Sequence, residues 1–458
     1  MEPVSKSSCA IRRVGLISPC AGNLGNAAIL SSMIENIQLR IPNSEIVGIT
    51  LSPEDTCRRH GIASFPITKV SRHNYSVVRS DGASEIQGQH LTPWKVLKES
   101  LKRITPFRAV IRGTRTVLSD LMHVVESGLL VRKLDHVIIT GGGALDELWG
   151  GAWGHPWVLF KFAMICKFFR VPFLFVSVGK CSLERPLSRF FVRKALCIAQ
   201  YRSYRDHESK KAIQAIFASP LDPVYPDLAY GYQYAAQLNS IRNRAGKGRF
   251  LVAVSPIAYF APDLWPLADE ERYQRYLHEL AELIRWLISQ SHDILLFATD
   301  SPDVDAIKDL LTILSANPVE TRSIRVLSGP PDQTAECLLE ELRYADIVIA
   351  SRLHGVILAH LLTIPVLAIS YDHKVDVHMS EIEQAKHCVN INNFDVTTLI
   401  SGFSTLSAVL DVESAHLRRA VQINREQVNV QYDLLFGERC PSVASEKPLE
   451  HAVLSVPS

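Results

Sequence analysis

Residues 346–374 read DIVIASRLHGVILAHLLTIPVLAISYDHK. Asp346–Ala350 is a short apolar run of strand length, and Ser351–Gly355 is a polar turn. Val356–Leu362 follows as a helix, which Ile364-Pro365 stops. A second strand, Val366–Ile369, ends at Ser370-Tyr371-Asp372-His373-Lys374. Strand, helix and strand in this spacing form a parallel crossover unit. Arg352 and His354 then lie on a strand-to-helix turn, where free backbone N–H groups add positive potential. Lys374 returns to the same sheet edge.

The same alternation extends in both directions. Strand candidates are Val14–Ser18, Ile46–Thr50, Val137–Thr140, Phe173–Ser177 and Tyr201–Ser203, then Phe250–Val254, Ile294–Ala298 and Ile324–Leu327. Amphipathic helices such as Ala27–Leu39 and Glu271–Ser289 separate them. Strands that are apolar throughout imply parallel sheets covered on both faces. The fold class is therefore α/β, with two Rossmann-like doubly wound domains facing a central cleft. A polar linker, NSIRNRAGKG at 239–248, divides them. The expected domains are 1–238, with a basic insertion around 80–130, and 249–410. A helix at 411–439 is expected to pack across both, followed by a disordered tail at 440–458. Ligands of such folds bind at the carboxyl ends of the strands.

Composition narrows the function. The 458 residues carry 49 Lys and Arg against 47 Asp and Glu, a net charge of +2. Near-neutrality argues against a nucleic-acid partner. Nine cysteines lie scattered with no CxxC pair, which disfavours a structural zinc site and fits reduced thiols in a cytoplasmic protein. The long oily stretch Trp157–Val178 contains Lys161, Lys167, Arg170 and Pro172, so it reads as core helix plus strand rather than a membrane span. Residues 95–115 hold seven basic side chains and one acid, Glu99. They are a candidate contact with the inner membrane face; a solvated surface helix is the alternative.

Chemistry-bearing residues cluster at strand ends. Ala21-Gly22-Asn23-Leu24-Gly25-Asn26 follows the first strand, with Asn26 as the candidate helix cap. Gly141-Gly142-Gly143 follows Val137–Thr140, and three glycines there suggest close approach of a ligand or another backbone. Ser177-Val178-Gly179-Lys180 is a weaker ligand-loop candidate and resembles an ordinary strand-end turn. Arg205, in Tyr204-Arg205-Asp206, opens a helix, and Asp227 lies at a further strand end. Arg205, Arg352, His354 and Lys374 together suit a compact anion, because arginine grips carboxylate or phosphate bidentately.

In the order Gly22–Asn26, Gly141–Gly143, Arg205-Asp206 with Ser209, Pro226-Asp227, Ser351–Gly355 and Tyr371–Lys374, the sequence resembles the polysaccharide pyruvyl transferase family. The family often has Gly-Asp where this chain has Gly25-Asn26. The resemblance implies a GT-B-like fold and transfer of pyruvate from phosphoenolpyruvate to a pair of sugar hydroxyls, giving a ketal. It implies that Arg205 and Arg352 bind phosphoenolpyruvate and that His354 is the active-site histidine. Leu353 and Lys374 join the expected substrate-binding set, and His354 and Arg352 the catalytic one. Gly22, Asn23, Gly25, Gly141, Gly142, Gly143, Asp227, Ser351 and Tyr371 are expected on the cleft or acceptor side. Phosphoenolpyruvate acts as co-substrate, with no other cofactor and no metal. The acceptor is a sugar, free or lipid-linked. The alternatives are a nucleotide-sugar glycosyltransferase on the same fold and a catalytically silent anion-binding protein.

Overall fold

A computed structural model describes residues 13–437 except 20, 69–119, 148–149, 181–182, 239–247, 263, 266–267, 316–322 and 331. The basic segment 95–115, nearly all of the linker and the tail at 440–458 lie outside the described residues.

The N-terminal half runs β1 (Arg13–Ser18), α1 (Leu24–Arg40), β2 (Glu45–Thr50), α2 (Pro53–His60), β3 (Ala63–Pro66), a helix at 120–131, and β4 (His136–Thr140). It continues with α3 (His155–Phe169), β5 (Phe173–Val178), α4 (Pro186–Ile198), β6 (Tyr201–Tyr204) and α5 (His207–Gln214). Its six strands pair in parallel in the order β3-β2-β1-β4-β5-β6. The C-terminal half runs β7 (Leu251–Ser255), α6 (Glu270–Ser289), β8 (Asp293–Leu296), α7 (Ser301–Ser315) and β9 (Ile324–Val326). Then come α8 (Ala335–Leu342), β10 (Ile347–Ala350), α9 (Leu353–Leu361), β11 (Val366–Ser370), α10 (His373–Glu381), β12 (Cys388–Asn390), α11 (Val396–Ser407) and α12 (Leu410–Phe436).

The second sheet has the order β12-β11-β10-β7-β8-β9, which repeats the first sheet's topology. Both follow the doubly wound order in which the chain reverses direction across the sheet between its first and fourth strands. β5 is buried along its whole length because helices cover both faces.

The sequence places the cap of α1 at Asn26, and the structure corrects this. Asn23 is the cap: its Oδ1 accepts the Asn26 backbone N–H at 3.0 Å, so the helix starts at Leu24.

The halves meet at the carboxyl ends of their strands. Leu24 N donates to Thr299 O at 2.8 Å and Ser301 N to Gly22 O at 3.1 Å. Asn23 Nδ2 donates to Asp300 Oδ2 at 3.0 Å. Behind this seam, one apolar core joins Leu24, Met33 and Tyr230 to Val356 and Leu358 of α9 and to Val428 and Tyr432 of α12. α12 also pins the first sheet with a polar plug. Buried Gln431 donates to Tyr201 and Ser203 hydroxyls and accepts from Ser177 Oγ at 2.8 Å. Among the described residues no helix is long and apolar enough to cross a membrane.

Gln431→Ala removes the hydrogen-bond partner that Gln431 gives to the Ser177, Ser203 and Tyr201 hydroxyls of β5 and β6. The expected cost is about 1–3 kcal/mol, read as a lower denaturation midpoint in urea. An unchanged midpoint would show that the plug contributes nothing.

Candidate active site

Arg205 is the first residue beyond β6. Its N–H continues the ladder to Val178 O at 3.1 Å, which fixes where the side chain starts. The guanidinium lies against Gly179, where an added Cβ would stand 2.7 Å from Nη2. A side chain at 179 would expel it. Arg205 Nη1 faces Asp227 Oδ2 and Nε faces Asp206 Oδ2, both at 3.4 Å. Asp206 also caps α5 by accepting Ser209 N–H at 2.6 Å. Asp227 caps the turn Leu228–Gly231 by accepting Ala229 N–H at 3.0 Å.

The triple glycine acts one layer behind. Gly142 O accepts Gly179 N–H at 2.7 Å, and Gly141 and Gly142 hold φ of +35° and +62°. This is close approach of two backbones, at the loop carrying Arg205. Gly22 and Asn23 form the seam between the halves.

On the other side, β10 delivers Ser351, whose Oγ is 2.9 Å from Tyr276 Oη in the core. Arg352 turns to α7, where Asp303 grips it bidentately at 2.7 and 2.8 Å. Asp300 Oδ2 lies 3.4 Å from Nη1. These carboxylates hold Arg352 charged despite burial. His354, on the first turn of α9, lies against α1, where an added Cβ on Gly25 would fall 1.9 Å from the imidazole Cγ. The absent side chain at Gly25 is what admits the ring. Among the described residues His354 Nε2 has no hydrogen-bond partner, and it stands 4.0 Å from Asp227 Oδ2. Lys374 Nζ sits 3.7 Å from Asp372 and 5.0 Å over the Tyr371 ring. Tyr371 itself packs on Tyr259 and Trp265.

A cavity of about 610 Å³ opens between the halves, lined by Arg205, Asp227, Leu353, Lys374, His378 and Glu381 among others. The structure thus brings Arg205, Asp227, Leu353 and Lys374 together in the lining. It leaves both His354 and Arg352 outside the lining, His354 behind Asp227 and Arg352 locked to Asp303. His378 and Glu381 are additions that sequence reasoning missed. Lys374, His378 and Glu381 fall at i, i+4 and i+7, one face of α10, so helical periodicity from Lys374 would have found them.

The electrostatics are sharply graded. Burial pushes His354 down to about 4; Asp227 opposes this, while Arg205, Lys374 and Arg352 reinforce it. Burial also pushes His378 down to about 4, and its Nε2 lies 3.2 Å from His360 Nδ1. Glu381 moves the other way, up to about 7, through burial and then the Asp206 charge, against the His207 N–H and Arg205. The site therefore offers cations to an anion, a neutral imidazole, and a carboxyl that gains and loses its proton near neutrality. Among the described residues no three His, Cys, Asp or Glu side chains gather as a metal site.

The fold is a two-domain α/β architecture of GT-B-like form. The chain belongs to the polysaccharide pyruvyl transferase family, whose model, described as Polysaccharide pyruvyl transferase, matches residues 23–373. No curated protein matches the chain. Among solved structures it is similar to the Anabaena protein HepE in complex with UDP, at 13% identity and a TM-score of 0.52, covering 93% of this chain and 98% of that one. It is also similar to a glycosyltransferase from Rickettsia africae, at 9% identity and 0.52, covering 93% and 99%. A third is the UDP-GlcNAc 2-epimerase of Methanocaldococcus jannaschii, at 10% and 0.51, covering 92% and 99%. At these identities the likeness is one of fold.

Gly25→Ala should overpack the His354 ring. The expected result is a loss of about 1–3 kcal/mol with displaced His354 ring resonances in NMR spectra. Gly248→Ala, whose Cβ meets no atom within 4 Å, should do neither. Unmoved resonances in Gly25→Ala would contradict the packing described.

Proposed function

We propose that this protein transfers the pyruvyl group of phosphoenolpyruvate to two hydroxyls of a sugar acceptor, forming a pyruvate ketal and releasing phosphate. The observation that carries this reading is the cavity itself. Arg205 from one half and Lys374 from the other line a single space, with His354 next to the lining residue Asp227. Phosphoenolpyruvate carries a phosphate and a carboxylate, and two cations from different halves suit a ligand with two anionic ends. Family membership makes a sugar or polysaccharide the acceptor class.

In the proposed reaction His354 gives a proton to the methylene carbon, which becomes the methyl group. C2 gains oxocarbenium character and the first sugar hydroxyl adds there, returning its proton to His354. The C2–O bond to phosphate then breaks, the second hydroxyl closes the ketal, and its proton leaves with phosphate. Glu381 is the second proton carrier of the cavity. Arg352 contributes fixed positive charge from behind His354, held by Asp303.

His354 is neutral in the unliganded site at neutral pH, because burial and three neighbouring cations outweigh Asp227. A ligand with two anionic ends offsets those cations, so binding should raise the imidazole pKa and draw in a proton. Calorimetry in two buffers of different ionisation enthalpy should show proton uptake on phosphoenolpyruvate binding, lost in His354→Gln. Binding without uptake would remove His354 as the donor.

Phosphate release from phosphoenolpyruvate in the presence of sugar acceptors tests the reaction. Arg205→Met and His354→Ala should each lower the rate by about 10²–10⁴-fold. Full activity in His354→Ala would refute its role. Turnover of nucleotide sugars in place of phosphoenolpyruvate would replace the reading with glycosyl transfer.

A further inference from the structure

Around the start of α3 and the first turns of α4 an aromatic cluster reaches from buried Phe191, through half-buried Trp157 and Phe160, out to the exposed Trp153 and Phe190. Trp153 is 66% exposed and Phe190 47% exposed, with Leu187 exposed beside them. Trp153 and Trp157 lie 5.4 Å apart, Trp157 and Phe191 5.4 Å, and Phe160 and Phe190 6.2 Å, so the rings form one continuous sheet. Farther along α3, Phe168 is 80% exposed. Trp and Phe at a wet surface are the side chains that a membrane interface accepts.

The charge on these helices is one-sided. Across α3 and α4 the basic residues are Lys161, Lys167, Arg189, Arg193 and Lys194, and neither helix contains an acid. Lys161 is buried; the other four are exposed. The whole chain is nearly balanced at +2, so the excess is local. Lys194 Nζ lies 5.7 Å over the Phe190 ring, placing charge directly beside the apolar surface.

The location is equally specific. α3 and α4 follow β4 and β5, so their first turns lie at the carboxyl-end rim that also carries Arg205. Glu147 Oε1 accepts both Glu184 N–H and Arg185 N–H, at 2.6 and 3.0 Å, tying the two loops into one rim.

We propose that the α3–α4 face is an interfacial docking surface for an anionic lipid bilayer, with the aromatic rings entering the headgroup region and the exposed Arg and Lys side chains pairing with lipid phosphate. Docking there sets the cleft rim beside the bilayer. It does not depend on the reaction proposed above, and its test reads binding alone.

The test uses the full chain with vesicles of phosphatidylcholine, with or without phosphatidylglycerol. Co-sedimentation should require phosphatidylglycerol, weaken with added salt, and shift tryptophan emission to the blue. Arg189→Glu/Arg193→Glu/Lys194→Glu and Trp153→Ser/Phe190→Ser should each lower partitioning at least about tenfold, with unchanged urea midpoints. Equal binding to neutral vesicles would overturn the proposal. So would binding that survives both variants and falls only when Lys98, Lys102 and Arg103 are neutralised. Self-association of the native chain that the patch variants abolish, without lipid binding, would make the occupant a second copy and likewise overturn it.

Discussion

Asp227 is a carboxylate with almost no access to water, and a buried charge persists only when partners surround it. It meets that demand with Ala229 N–H and with Arg205 at 3.4 Å, while the His354 imidazole faces it at 4.0 Å. Arg205 belongs to the first half and His354 to the second, so one carboxylate faces a guanidinium from one half and an imidazole from the other. The glycines follow from this constraint. Gly179 clears room for the guanidinium and Gly25 for the imidazole. The shared apolar core then sets α9 against α1 closely enough that Gly25 is needed at all.

The two conspicuous arginines play unlike parts in this geometry. Arg205 lines the cavity, while Arg352 is spanned by Asp303 and approached by Asp300. A buried guanidinium without such partners would be costly, and the bidentate pair removes most of that cost. Asp300 still feels its burial, which raises its pKa despite Arg352. Asn23 reaches the same carboxylate from the first half, so the clamp on Arg352 is also part of the seam between halves. Positive potential reaches His354 from Arg205, Lys374 and Arg352 alike.

Most of the fold was legible because buried parallel strands are apolar on both faces. The runs at Val14, Val137, Phe173 and Asp346 fall on strands to within a residue or two. β3 and β12 escaped notice: they are edge strands of four and three residues with mixed burial, and they leave no periodicity to read. The cap of α1 was misplaced by one turn because two asparagines stand three residues apart and only the hydrogen bond distinguishes them. The strand-end residues were legible as candidates, since polar and glycine-bearing turns after apolar strands stand out. Their partners were not. Nothing local to Gly25 announces His354, and nothing local to Arg352 announces Asp303, because those contacts exist only once the two sheets face each other. Glu381 was within reach by helical spacing from Lys374.

The proposed reaction requires one anionic substrate held between the halves, by Arg205 from the first and Lys374 from the second, beside His354. Diffraction from crystals containing a non-reactive phosphoenolpyruvate analogue measures this directly. The analogue's two anionic groups should lie against Arg205 and Lys374, with its methylene side toward His354. An analogue bound elsewhere, touching neither Arg205 nor Lys374, would contradict it.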